Sequence, residues 1–208
     1  MARYLGPSCR LCRAAGAKLF LKGDRCNSSK CSIDRRNTKP GTSNNSRKKE
    51  SEYALQLKEK QKIKRMYGLL EKQFYNYYKK ASSKQGITGD NLLQLLERRL
   101  DSVVYRLGLA KSRSQARQFV RHGHIKVNKK RVNISSYLVK GSDLVEIREK
   151  SKKLTIIDGS LQSKERDVPE YIQLDDKNKT AKLLRKPKFS EVPYPVVMEP
   201  NLVIEYYS

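Results

Sequence analysis

Long apolar runs are missing from this sequence of 208 residues. No stretch approaches the ~18 apolar residues that a membrane-spanning helix needs, and no signal-peptide core follows the basic start. We therefore expect a soluble, intracellular protein without a membrane partner. The length suits one domain of ordinary size with one or two small ones.

Acidic residues are also scarce. Asp and Glu number 21 against 46 Lys and Arg, which gives a formal net charge of +25 and a pI near 10.0. Because so large a charge repels itself, a polyanion is needed to offset it, and nucleic acid is the expected one. Residues 1–50 carry +10, residues 51–158 carry +15, and residues 159–208 are neutral. We expect the neutral segment to pack on the rest of the chain or on another protein.

Only two histidines are present, His122 and His124, and both lie in a basic segment. RNA contact or helix-end packing suits them better than acid–base catalysis. Four aspartates are scattered without a recognisable catalytic partner: Asp90, Asp101, Asp143 and Asp158. We therefore expect no catalytic residues and no small-molecule substrate, so the protein should not be an enzyme.

The cysteines are few and confined to the first 31 residues, spaced as C-x2-C-x13-C-x4-C: Cys9, Cys12, Cys26 and Cys31. Two close pairs joined by a loop can place four thiolates around one tetrahedral cation without a large core. Two disulfides or four unrelated thiols are the alternatives. Four thiolates favour structural Zn²⁺, with an iron–sulfur cluster as the other possible centre. Basic residues would then face outward around this module: Arg10, Arg13, Lys18, Arg25 and Lys30.

Helical periodicity dominates the middle of the chain. An exposed loop rich in Pro, Gly, Ser and Asn covers residues 38–50. Apolar residues then recur every three or four positions from about Ser51 to Lys80, which predicts one long helix. A second apolar stripe from Asp90 to Gly108 predicts another.

A third helix should follow the N-cap Ser112 and end at Gly123, with Ala116, Phe119 and Val120 inside. Three arginines spaced by four form one row, which we expect on the outer face: Arg113, Arg117 and Arg121. Because like charges at this spacing repel, the row favours a phosphate partner over a purely structural role. Short strands should follow at 125–127, 132–134 and 144–147, with a basic turn at 128–131.

At this point the sequence resembles a known family. Residues 98–149, RRLDSVVYRLGLAKSRSQARQFVRHGHIKVNKKRVNISSYLVKGSDLVEIRE, are similar to the RNA-binding module named after the S-four protein of the small ribosomal subunit, which also occurs in RNA-modifying enzymes. The start MARYLGPSCRLCR, the segment LQLKEKQKIKRMYGLLEKQFYNYYKKA, the approach GDNLLQLLERRLD and the ending LVIEYYS resemble the ribosomal S-four family in the same order. The resemblance covers nearly the whole chain.

The resemblance implies a primary binder of small-subunit rRNA that gathers helices of the 5′ domain early in assembly and nucleates the body of the subunit. It also implies a cytoplasmic place in the small subunit near the path along which mRNA enters, and a contact with ribosomal protein S-five that influences translational accuracy. The cysteine-bearing members have metal ligands that match Cys9, Cys12, Cys26 and Cys31. The family's basic residues at the mRNA path would fall at or near Arg47, Lys48 and Lys49.

The predicted RNA contacts combine the row, the basic turn and the N-terminal basic residues: Arg3, Arg10, Arg13, Lys22, Arg35, Arg36, Arg47, Lys48, Lys49, Lys58, Lys62, Arg65, Arg113, Arg117, Arg121, His122, Lys129, Lys130 and Arg131. The expected fold is α+β and mainly helical. Its parts are a four-cysteine metal module with a basic loop (1–50), a helical region (51–91), an αα-β-hairpin RNA-binding module (92–158), and a neutral segment (159–208). Leu202, Val203 and Ile204 should bury the last segment against the first part of the chain.

Two other function classes compete. An RNA-modifying enzyme, such as a pseudouridine synthase, can carry the same module, but only about 50 residues follow it here, too few for a catalytic domain. A zinc-finger DNA-binding protein would need a recognition helix aimed at a major groove and a dimer seam, and neither is apparent. The basic faces suit the backbone of folded RNA better.

Overall fold

A computed structural model of the chain describes residues 3–36, 38–41, 49–152, 154–162, 168–175 and 179–208. Residues 158, 161 and 162 are described by their backbone alone. The chain forms two compact units. The first comprises Met1–Leu92 together with Tyr194–Ser208, and the second comprises Leu93–Pro193. None of the helices described is both long and apolar enough to cross a membrane.

The first unit is helical. Its helices are α1 (Ser8–Ala15), α2 (Asp24–Asn27), α3 (Ser32–Arg35), α4 (Glu52–Met66), α5 (Glu71–Ser82), the beginning of α6 (Thr88–Glu97), and α10 (Pro200–Tyr207). Its core is built from residues such as Leu19, Ile63, Met66, Phe74 and Val203, each at most 1 % exposed.

The single helix predicted from Ser51 to Lys80 is wrong, because the chain breaks between α4 and α5. Gly68 has a positive φ of 61° there, which a helix does not allow. The predicted start at about Ser51 is confirmed: the Ser51 hydroxyl caps α4 by accepting from the Ala54 amide at 3.3 Å. The apolar spacing in the sequence continues across the break, from Met66 through Leu70 to Phe74, so periodicity alone could not reveal it.

The last helix closes the first unit, as expected. α10 packs against α4, with Val203 fully buried and Leu202 and Ile204 half-buried. The remainder of the neutral segment differs from the expected arrangement, because residues up to Pro193 belong to the second unit.

The second unit combines helices with an antiparallel sheet. The helices are the end of α6, α7 (Leu100–Arg106), α8 (Arg113–Arg121) and α9 (Thr155–Gln162). The strands are β1 (Ile125–Val127), β2 (Lys130–Arg131), β3 (Leu144–Ile147), β4 (Ile172–Asp175) and β5 (Thr180–Leu183), in the order β2-β1-β3-β5-β4. The expected α+β, mainly helical fold with a small hairpin sheet is therefore confirmed at this level.

The helix predicted from Asp90 to Gly108 is also two helices. Between α6 and α7 the backbone turns aside to pair with a distant loop, and the carbonyl of Arg98 accepts from the Val139 amide at 2.8 Å. The Leu100 amide donates to the Tyr137 carbonyl at 2.8 Å in the same place. Since both bonds join residues far apart in sequence, the break depends on tertiary contacts.

The hairpin after α8 is tighter than predicted. Asn128 and Lys129 have φ of 49° and 66°, the pattern of a two-residue type I′ turn. Val127 therefore pairs with Lys130, and the strand predicted at 132–134 is wrong. The Asn128 amide side chain also bonds Asp143 Oδ1 and the Leu144 amide, each at 2.9 Å, which ties the turn to β3.

Strands β4 and β5 were not predicted. They alternate in burial, with Ile172, Ala181 and Leu183 inward and Gln173 and Lys182 outward. β5 pairs with β3, so the sheet extends beyond the predicted module. The alternation of IQLD and TAKL was the available sequence signal.

Candidate RNA interface and thiol cluster

The four cysteines converge on one pocket of the first unit. Cys9 and Cys12 lie on α1, Cys26 lies on α2, and Cys31 is the N-cap of α3. All four line the same pocket, and none of them forms a disulfide in this structure. Three short helices thus bring together residues that are up to 22 positions apart in sequence.

The surroundings of two of the thiols, Cys12 and Cys26, oppose ionisation. Burial raises the pKa of the Cys12 and Cys26 thiols, and the other cysteines raise it further, while backbone amides lower it. The Lys22 amide, for example, donates to Cys26 Sγ at 3.4 Å. A bound cation would reverse the effect of burial by stabilising the charged form. In the described part of the chain, no three Cys, His, Asp or Glu side chains are grouped so as to hold a metal ion as they stand.

The predicted basic residues around this cluster differ in availability. Arg13 is held within the unit, since its Nε donates to the Thr38 carbonyl at 2.9 Å. Lys18 pairs with Asp34 at 2.7 Å. The other predicted contacts of this region are exposed: Arg3, Arg10, Lys22, Arg35 and Arg36, with Arg25 and Lys30 beside them.

The predicted contacts on α4 also make intrachain bonds. Lys58 pairs with Glu50, and Lys62 pairs with Glu59 and donates to the Val197 carbonyl. Burial lowers the pKa of Arg65, which is half-buried. Of the predicted basic run, Lys49 is exposed, and Arg47 and Lys48 lie outside the described residues.

In the second unit, α8 has the predicted limits and inner face. The Ser112 hydroxyl accepts from the Gln115 amide at 3.3 Å, and Ala116, Phe119 and Val120 are buried. The expectation of one outward row of arginines is wrong for its first two members. The side chains of Arg113 and Arg117 are each only 11 % exposed and pair with Glu97 and Asp101.

The third member of the row, Arg121, is exposed at the C-terminal end of α8. The predicted residues His122, Lys129, Lys130 and Arg131 are exposed as well. Among the described carboxylates, none is paired with any of these five residues. They share one region, which we call the hairpin edge: Arg121, His122, Lys129, Lys130 and Arg131.

Two members of the hairpin edge, Arg131 and His122, lie close to neighbouring residues of the same segment. A Cβ atom placed on Gly123 would lie 2.0 Å from Arg131 Nε, so this guanidinium covers the glycine backbone. The rings of His122 and His124 are 5.9 Å apart. Burial lowers the pKa of His124, and His122, Arg148 and Arg131 lower it further, which shows how concentrated the positive charge is.

Sequence reasoning missed two members of this charged region, Lys126 and Arg148. His124 was expected to contact RNA or to pack at the helix end, and it is half-buried beside His122. Lys126 lies opposite Arg131 in the β1–β2 pair, and the Arg148 amide donates to the His124 carbonyl at 2.8 Å. The sequence signal for Lys126 was the alternation of apolar and polar residues in β1, which places this lysine on the outward side of the strand. His124 and Arg148 are brought together only by the return of β3.

Known proteins match the chain along its whole length. The family model described as the ribosomal protein S4/S9 N-terminal domain matches residues 3–97, and that of the S4 domain matches residues 98–145. A small ribosomal subunit protein uS4 of Natranaerobius thermophilus is 52 % identical over 210 residues and is covered in full, as is this chain. The proteins of the same name from Pelotomaculum thermopropionicum and Thermodesulfovibrio yellowstonii are 51 % and 49 % identical, again over all of both chains.

These matches confirm the resemblance seen in the sequence. They include both the N-terminal region with its cysteines and the module that carries the hairpin edge. The chain belongs to the ribosomal protein S4 family.

Proposed function

We propose that the protein is a structural constituent of the small ribosomal subunit that binds rRNA and has no catalytic activity. The observation that carries this proposal is identity of about half of all residues, over both full lengths, to proteins named as constituents of that subunit. Such a protein works in the cytoplasm, where the subunit functions. The same full-length identity disfavours an RNA-modifying enzyme, which would need a catalytic domain beyond the shared module.

The charge of the chain supports RNA as the partner. The hairpin edge presents five cationic or titratable side chains without a described carboxylate partner. A-form RNA is recognised largely through phosphates and shape, which suits flexible cations on a small rigid module. The exposed basic residues near the thiol cluster provide a second set of phosphate contacts.

The direct test is affinity for a fragment of the 5′ domain of small-subunit rRNA, compared with unrelated folded RNA of equal length across a salt series. A preference for the 5′ domain that survives moderate salt supports a primary rRNA binder that assembles early. Equal, salt-labile binding to both RNAs overturns it, because generic phosphate contacts lose affinity steeply with salt.

We also propose that the four cysteines hold structural Zn²⁺. The support is their shared pocket and the suitability of four thiolates for this ion. Ligation would join α1, α2 and α3 around one centre, and inward shifts of the side chains would complete the tetrahedron. Zn²⁺ would supply rigidity alone, since four protein ligands leave no open position for chemistry.

Metal analysis of anaerobically purified protein tests this site. We expect one zinc ion per chain in the wild-type protein. The variant Cys12→Ser should lose the zinc, and the amides of α1–α3 should then be less protected from hydrogen exchange. Stoichiometric iron and sulfide would instead establish the iron–sulfur alternative. Ser8→Ala, beside the cysteines on α1, is the control that should keep the metal.

Two further partners, mRNA and ribosomal protein S-five, are proposed from the family resemblance and from the distribution of charge. Lys49 is exposed and would lie with Arg47 and Lys48 near the path along which mRNA enters. The neutral segment 159–208 suits a protein neighbour, for which S-five is proposed. Crosslinking from position 49 to mRNA, and from position 205 to S-five, in reconstituted subunits tests each contact, and a crosslink to rRNA alone would contradict it.

A further inference from the structure

Two buried carboxylates in the second unit bind the arginines of α8. Glu97, at the end of α6, accepts from Arg106 Nε and Nη2 at 3.0 and 2.8 Å, from Arg113 Nη2 at 3.4 Å, and from the Tyr171 hydroxyl at 3.2 Å. Its side chain is fully buried.

Asp101, on α7, forms the second half of this arrangement. It accepts from Arg99 Nε and Nη2 at 3.0 and 2.7 Å, and from Arg117 Nε and Nη2 at 3.0 and 2.8 Å. Its side chain is 3 % exposed. Two carboxylates thus face four guanidinium groups, which we call the arginine clamp: Glu97, Asp101, Arg99, Arg106, Arg113 and Arg117.

The clamp determines which arginines of α8 can reach a phosphate. If Arg117 turned from Asp101 to an exposed phosphate, it would lose its hydrogen bonds to a carboxylate that is shielded from water. Charge-assisted hydrogen bonds to a buried carboxylate contribute more than an exposed ion pair does. Arg113 is held in addition by the ring of Tyr105, whose centroid lies 4.4 Å from its guanidinium carbon.

Arg121 differs from the other two. It follows Arg117 by four positions and therefore lies one turn further along the same face of the helix, yet it is exposed at the hairpin edge. None of the described carboxylates pairs with it. The helix is thus anchored through its first two arginines and presents the third.

We propose that Glu97 and Asp101 are positioning residues for RNA binding, which withhold Arg113 and Arg117 from the RNA and leave Arg121 as the phosphate contact of the row. This inference rests on the proposed rRNA-binding function and narrows the site to one end of α8. The carboxylates act through the arginines and do not touch the RNA.

The salt dependence of binding distinguishes the three arginines, because each phosphate contact adds about one unit to the slope of log affinity against log salt. With the full-length protein and the 5′-domain fragment, Arg121→Gln should flatten the slope by about one unit. Arg117→Gln should leave the slope unchanged. This variant should still fold, because Asp101 keeps Arg99 as a partner. Equal flattening by the two substitutions would overturn the proposal.

Asp101→Asn tests the role of the carboxylate itself. It removes the charge while keeping an oxygen acceptor, so Arg117 should gain access to RNA and the slope should steepen by up to about one unit. The double variant Asp101→Asn/Arg117→Gln should return to the wild-type slope. An unchanged slope in folded Asp101→Asn would contradict the proposal that Asp101 withholds Arg117 from the RNA. A carboxylate with a merely structural role would affect stability but not the number of phosphates that the protein contacts.

Thermal melting shows whether each variant is folded. If Asp101→Asn does not fold, the comparison of Arg117→Gln with Arg121→Gln still decides the matter. Failure of the proposed function itself has a different signature, because the wild-type protein would then bind the 5′-domain fragment no better than unrelated RNA.

Discussion

The hydroxyl of Tyr207 in α10 donates a hydrogen bond of 2.7 Å to Glu71 at the start of α5. Glu71 also accepts from Lys60 at 2.8 Å and from Lys64 at 2.6 Å. The Lys60 ammonium lies 4.3 Å from the ring centroid of Tyr206. The final helix is therefore bound to α4 and α5 by a carboxylate, two lysines and two rings.

Tyr207→Phe should destabilise the first unit by about 1–2 kcal/mol, because it removes a hydrogen bond to a charged acceptor and retains the ring. Urea unfolding measures the change. Tyr78→Phe is the matched control, since the ring of Tyr78 lies 4.7 Å from that of Tyr207 and its contact does not need the hydroxyl. Equal effects of the two substitutions would show that the bond to Glu71 contributes little.

Stability should depend on Glu71 at low pH. Burial raises the pKa of this carboxyl, but hydrogen bonds from Lys60, Lys64 and Tyr207 outweigh burial and lower it to about 2. Because the folded-state pKa lies below the ordinary value, the stabilisation is complete above about pH 4.5 and is lost as the pH falls towards 2. Denaturation from pH 6 to 3 should show a difference between wild type and Glu71→Gln that shrinks with acid. A difference that is constant over this range would contradict the assigned shift.

Arg106→Met should destabilise the second unit by about 3–5 kcal/mol, because it removes the bidentate partner of the fully buried Glu97. Adding Glu97→Gln should recover part of the loss by removing the uncompensated charge. Chemical denaturation of the two single variants and the double variant gives the coupling between the residues. Additive losses would mean that the pair is not coupled.

Gly123→Ala should weaken RNA binding. The glycine has a φ of +72°, and an added Cβ would lie 2.0 Å from Arg131 Nε, so both the backbone and the guanidinium must shift. Affinity for the 5′-domain fragment should fall, with a loss of stability of about 1–2 kcal/mol. Gly141→Ala is the control, because nothing lies within 4 Å of its added Cβ. Unaltered RNA affinity in Gly123→Ala would remove Arg131 from the interface.

Asn128→Ala should cost more stability than Asn128→Gly. Both lose the bonds to Asp143 and Leu144, but only alanine also suffers at the positive φ of the type I′ turn. We expect losses of about 2 and 1 kcal/mol respectively. Thermal denaturation of the two variants measures them, and the opposite order would contradict the assigned turn.

Several features of the fold were accessible from sequence because their causes are local. The limits of α8 follow from Ser112 and Gly123 within a few residues of the helix they cap, and the burial of Val203 follows from an apolar helix face. The breaks after Met66 and Glu97 were not accessible. In both places the apolar spacing continues, and near Arg98 the break is made by a loop 41 residues away, at Val139.

The same distinction applies to the candidate site. The excess of Lys and Arg, the spacing of four cysteines and the basic hairpin were enough to predict an RNA-binding protein, because charge and covalent spacing are properties of the chain itself. The family was predicted separately, from the resemblance of several stretches of the sequence to the ribosomal S-four family. Only the tertiary structure decided which cations are available. Arg113, Arg117 and Arg121 are equivalent in spacing, yet Glu97 and Asp101 bind the first two, since a buried carboxylate holds its counter-ion wherever folding places it.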